Sequence, residues 1–186
     1  MKTRISTPRS ARRSQTTVPD QKSETHNEIV DWLRDAYGME RGLEHALQKQ
    51  AFNDELSPAT RQRAAIHLKE TQRHAAEVAA MLEGLGTKTS PLKTSVGRIA
   101  QASKGLMTKF ARDERIKDLL DSYAMEHFEI ACYTALAAAA ERSGLLQVAE
   151  MCWRIIPDEE VMARSIRDAL PDEIALYLFD AEAEFI

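Results

Sequence analysis

A glutamate where a helix should bury leucine is the first chemical signal in this chain. Glu40 falls in line with Ala36 and Leu43, a position at which a bundle helix normally carries Leu or Ile. A charge placed there costs several kcal/mol unless it is paired, protonated or bound to a metal. Three more segments repeat the theme. His67 and His74 fall inside an apolar arc, with Glu70 at its edge. Glu126 sits about 60° from the centre of an inward face, with Glu129 further toward the flank. Glu159 and Glu160 straddle a stripe through Ile156 and Ala163, so at least one of them should reach the interior. Hard and borderline cations take carboxylate oxygen and imidazole nitrogen, and inward Glu from four helices can neutralise two of them. Iron or manganese held in that way would react with dioxygen or peroxide, as a ferroxidase, a peroxide scavenger or a metal buffer. The same residues also fit a metal-free bundle serving as a dimeric structural or interaction module. Its acids would then pair with Arg41, Arg73 or Arg164, and its histidines would be hydrogen-bonded core residues.

The elements that must position these groups are helices. Ile29, Leu33, Ala36, Glu40, Leu43, Leu47 and Gln50 recur at steps of four and three, which predicts a helix from His26 to Phe52. Ser57-Pro58 is a start signal for a second helix with the stripe Leu68, Thr71, Ala75, Val78 and Leu82, stopped by Gly84 and Gly86. Thr87 to Lys93 reads as a loop. Val96 to Phe110 reads as a short helix within a long crossover. The third bundle helix is expected from Asp113 to Gly144, with Ile116, Leu120, Tyr123, His127 and Ile130 facing inward. The fourth begins near Leu145 through Ala149, Cys152 and Ile156, with a bend at Pro157, and a separate short helix follows Pro171. The result is an all-α, antiparallel four-helix bundle over residues 26–186.

Composition agrees and excludes alternatives. Seven Gly and six Pro in 186 residues are few, and no Val/Ile/Thr-rich alternating runs announce strands. No apolar stretch approaches the roughly 20 residues of a membrane span, which points to a cytoplasmic protein. Cys132 and Cys152 lack metal-knuckle spacing and read as reduced thiols. The net charge of −4 conceals an excess of Lys and Arg in residues 1–25, a segment with little to bury that is expected to be a disordered basic tail. Arg4, Arg9, Arg12 and Arg13 could hold nucleic acid there through counterion release, although no aromatic is interleaved among them.

The run from Asp31 to Leu43, the run His67-Leu-Lys-Glu70-Thr71-Gln-Arg-His74, and the run Glu126-His-Phe-Glu129-Ile-Ala-Cys-Tyr133 together resemble the YciE/YciF family of bacterial ferritin-like proteins. The resemblance covers residues 27–170 and lies in several motifs that keep their order and separation. It implies a ferritin-like bundle, usually a dimer, linked to stress responses and carrying a di-iron-type centre. Carried over by position, Glu40, Glu70, His74, Glu126, Glu129 and Glu160 would be the metal ligands. The chain departs from the common ferritin-like pattern in two Glu-x-x-His pairs, since Arg73 follows Glu70 and Ala163 follows Glu160 at that spacing.

Overall fold

The computed structural model describes residues 21–87 and 114–183. They form four helices: α1 (Gln21–Ala51), α2 (Pro58–Gly84), α3 (Glu114–Arg142) and α4 (Leu146–Ala183). Among the described residues there is no strand. The helix ends follow from local chemistry. Ser57 accepts the Thr60 N–H on its hydroxyl and Pro58 opens α2, where a missing N–H costs nothing. Gly86 and Gly144 take left-handed backbone at φ 71° and 75°. In each case the next residue donates back five positions, Thr87 to Leu82 and Leu145 to Ala140, which closes the helix end. The turn at Gly144 is tight enough to send α4 straight back along α3.

All neighbouring helices run antiparallel. Glu40 meets Tyr133 while Gln50 meets Ser122, so α1 and α3 run in opposite directions. Glu173 meets Thr60 while Asp158 meets Arg73 and Arg154 meets Glu77, so α2 and α4 do the same. The end of α2 and the start of α3 therefore lie at opposite ends of the bundle, which is the topology of a long crossover. The short helix expected over Val96–Phe110 and residues 1–20 of the basic tail expected over residues 1–25 lie outside the described residues.

Three expectations need correction. α1 starts at Gln21 rather than His26, because Gln21 to Thr25 continue the helix. α4 runs unbroken from Leu146 to Ala183, so the segment after Pro171 extends it instead of forming a separate short helix. Pro157 and Pro171 both lie inside it on exposed faces, where the carbonyl left without a partner can turn to water. Finally, the inward face of α3 is rotated by about one residue from that expected. His127 is exposed and stacks edge-on against Tyr123 at 4.7 Å, while Glu126, Glu129 and Tyr133 point inward. On α4 the expected Ala149, Cys152, Ile156 and Ala163 are buried, and Val148, Ile155, Glu159, Met162 and Ile166 widen that face.

The core divides along the bundle axis. One end is a large apolar cluster that includes Ile29, Leu33, Val78, Leu82, Leu136 and Ile155. The opposite end holds a smaller one of Leu119, Met162 and Ile166. Between them lies a polar layer.

Candidate metal centre

Four helices deliver six side chains to that layer, each at most 2% exposed: Glu40, His67, His74, Glu126, Glu129 and Glu159. α1 contributes Glu40, one turn beyond Ala36 on its buried stripe. α2 contributes both histidines, seven residues apart and so on one face about 10 Å apart along the axis. Between them Thr71 is fully buried but small, which leaves room opposite. α3 contributes Glu126 and Glu129, one turn apart, and α4 contributes Glu159.

The donor atoms form two groups that share Glu159. His67, Glu126, Glu129 and Glu159 bring one ligand atom each within 4.8 Å of one another, and so do Glu40, His74 and Glu159. His67 Nδ1 is 3.3 Å from Glu126 and its Nε2 is 3.5 Å from Glu159. His74 Nδ1 lies 2.9 Å from Glu159 Oε1 and 3.8 Å from Glu40 Oε1. Proximity has not produced satisfaction. Both oxygens of Glu129 and Glu159, one of Glu40, one of Glu126, and the facing nitrogens His67 Nε2 and His74 Nδ1 have no hydrogen-bond partner. Orphaned buried donors and acceptors of this kind are rare in folded proteins, and their concentration in one layer fits a site able to take a cation. Their number also fits: four carboxylates balance the charge of two divalent cations, and two imidazoles complete the six-ligand set of ferritin-like dinuclear sites. The set is redistributed, however, since both histidines come from α2 and two carboxylates from α3.

Groups around the layer hold it in position. Tyr133, fully buried, donates its hydroxyl hydrogen to Glu40 Oε1 and leaves Oε2 facing the site. His74 Nε2 lies 3.3 Å from Asp158 Oδ2, which in turn accepts from Arg73 at 2.6 Å. Arg73 Nη2 also lies 3.0 Å from His74 Nε2, so Asp158 and Arg73 together hold the ring with Nδ1 turned toward Glu159.

The electrostatics describe a site that strains against its own charge. Burial, and then the charge of Glu159, push Glu40 up to about 8 and Glu126 up to about 10. Burial and the charges of Glu40 and Glu159 drive Glu129 well above the ordinary carboxylate range. Burial also pushes Glu159 up, yet the two imidazoles beside it win and hold it down at about 2. Glu159 is thus the natural shared anion of the layer. Burial opposes protonation of His74, but Glu159, Glu40 and Asp158 outweigh it and raise its pKa.

The arginines that could have neutralised these acids are engaged elsewhere. Arg41 pairs with Glu44, Arg73 with Glu77 and Asp158, and Arg164 with Glu160.

Of the residues that sequence pointed to, Glu40, His74, Glu126 and Glu129 come together in the layer. Glu160 does not: it is exposed and 3.7 Å from Arg164. Its neighbour Glu159 takes the inward place, in line with Cys152, Ile155, Met162 and Ile166 on the broad buried face of α4. Glu70 is half-buried on the flank of α2 and belongs to neither donor group. It lies off the line joining His67 and His74 and reaches Glu126 through its charge alone. His67 was visible as an arc residue but not as a ligand. The signal that marks it is the run Thr60, Ala64, His67, Thr71, His74 and Val78, a seam at strict steps of four and three.

Comparison with known proteins agrees with this architecture. A protein from Xanthomonas campestris pv. campestris has 31% sequence identity and a TM-score of 0.72, covering 86% of this chain and 99% of that one. The E. coli stress protein YciF aligns at 22% identity with a TM-score of 0.65, covering 81% and 97%. A dodecameric thioferritin, the bacterioferritin-related protein of Bacteroides fragilis, aligns at 16% identity with a TM-score of 0.63, covering 81% and 89%. Residues 25–179 match the family described as a domain of unknown function, DUF892. The chain belongs to that family, and with it to the YciE/YciF-like group of ferritin-like four-helix bundles.

Proposed function

We propose that this protein binds two redox-active divalent cations, iron or manganese, in the polar layer and uses them against dioxygen or peroxide. One observation carries the reading: four fully buried glutamates and two histidines from four helices converge at one depth, with their facing atoms unsatisfied and no arginine among them. His67, Glu126 and Glu129 would hold one ion, Glu40 and His74 the other, with Glu159 between them. Bound iron or manganese would supply one-electron oxidation steps, with ferroxidase or peroxide-consuming activity as the outcome. The chain's own part is to supply a net charge of about −4 against two dications, exclude bulk water, and orient each donor through Tyr133 and Asp158. The metal-free structural module loses its main support, because its acids needed arginine partners. A homodimer in the cytoplasm is the setting this reading assumes.

Elemental analysis after loading with Fe(II) or Mn(II) tests the proposal. The parent is expected to retain about two ions per chain, Glu40→Ala and Glu126→Ala to lose retention, and Glu160→Ala to match the parent. Failure of the parent to retain either metal would overturn it.

A further inference from the structure

A centre this deeply sealed needs a way in. Among the described residues, the wall of the layer comes near solvent beside each of its two histidines. The first approach passes His67 along the bundle axis through a cavity of about 20 Å³, lined by Leu47, Ala64, Leu119, Met162 and Arg63. That space admits a single water and the Arg63 guanidinium lines it, so a hydrated dication must shed its shell and meets repulsion as well. The second approach passes His74 between α2 and α4. His74 spans the wall: Nδ1 faces Glu159 inside, and Nε2 lies 3.3 Å from Asp158, whose side chain is 35% exposed. Arg73, 48% exposed, clasps Asp158 at 2.6 Å and Glu77 at 2.8 Å, and Arg154 holds the other oxygen of Glu77 at 3.2 Å.

We infer that this α2–α4 seam is the port for metal. Asp158 and Glu77 capture the cation at the surface, Arg73 is the counter-ion it displaces, and His74 with Glu159 receives it. The inference rests on the dinuclear reading above. The geometry favours it because this route is lined by acids and by one ligand that faces both ways, and because the cation that closes it sits on an exposed, flexible side chain. A guanidinium over a carboxylate is held by charge rather than by packing, so an arriving dication can compete for the same oxygen.

Stopped-flow mixing with Co(II), followed by the absorbance of bound cobalt at low and moderate salt, tests the port without any oxidation step. Asp158→Asn is expected to slow association roughly tenfold and flatten its salt dependence. Arg73→Gln should accelerate association several-fold at unchanged final stoichiometry, and Arg63→Gln should leave it as in the parent. Unchanged association in both Asp158→Asn and Arg73→Gln would overturn the port. So would a loss in Asp158→Asn confined to faster dissociation, which would make Asp158 a positioning residue for His74 and nothing more. Acceleration by Arg63→Gln would overturn it in favour of the axial route. A parent that binds no cobalt at equilibrium would instead defeat the metal reading itself.

Discussion

The apolar end of the bundle, around Leu33, Val78, Leu82 and Ile155, and the layer of Glu40, His74, Glu126 and Glu159 lie on the same helices at the same four-three spacing. In the first region each buried side chain adds contacts and removes apolar surface from water, so local preference and global fold agree. In the second, the same inward positions carry groups that lose their hydration and leave many of their polar atoms without a hydrogen bond. The difference teaches where this protein keeps stability and where it gives stability up. A layer that breaks the packing rule on four helices at once is the place where a functional site is expected.

Substitutions can separate the two regions by sign. Leu82 is fully buried at the apolar end, and Leu82→Ala should destabilise the protein by about 2–5 kcal/mol in urea unfolding, because it leaves a cavity. Metal retention should survive in whatever fraction stays folded. Glu129→Leu should act in the opposite direction. It replaces an unsatisfied buried acid with an apolar group of similar size, and the metal-free protein should gain about 1–4 kcal/mol while metal retention is lost. Destabilisation by both would mean that the layer is an ordinary part of the core.

A smaller effect is expected with pH in the metal-free protein. Glu40 and Glu126 keep their protons in the folded state to about 8 and about 10, whereas the unfolded chain releases them near 4.5. The unfolded state therefore binds fewer protons between these values, and stability should fall as pH rises from about 4.5 through 8 toward 10. Glu159 works in the other direction, but its contribution is lost only as pH falls from about 4.5 toward 2, so it adds no slope in this window. Glu126→Gln should flatten the decline, and saturating metal should abolish it, because the ligands are then ionised in the folded state. Thermal unfolding midpoints at pH 5, 7 and 9 would read this out, and a midpoint that rises with pH would contradict the assigned burial.

The legibility of the sequence varied from helix to helix. α1 was read well because its stripe is apolar except at Glu40, so one exception stood out against a clear background. α2 was read well for its boundaries, since Ser57-Pro58 and Gly86 are local signals whose physics acts within a few residues. On α3 the expected face is off by about one position, which turns His127 inward; on α4 the spacing leaves Glu159 and Glu160 both open, and it is the resemblance that puts the ligand role on Glu160. On α3 the centre of the buried face is Glu126, Glu129 and Tyr133, so hydrophobicity points away from it. On α4 the lines through Ile155 and through Ile156 are both buried, so the apolar pattern by itself does not say which of Glu159 and Glu160 turns inward. Pro157 and Pro171 suggested breaks that the exposed faces of α4 tolerate.

What the sequence determined by itself was the helical class, the antiparallel bundle and the presence of inward acids, because periodicity, caps and turn glycines act over a few residues. The tertiary structure decided which acid of each adjacent pair turns inward, that His67 joins His74, that Glu159 is shared, and that Asp158 and Arg73 stand behind His74. Those outcomes depend on how four helices rotate against one another, and that rotation is set by packing across the bundle rather than by any one segment.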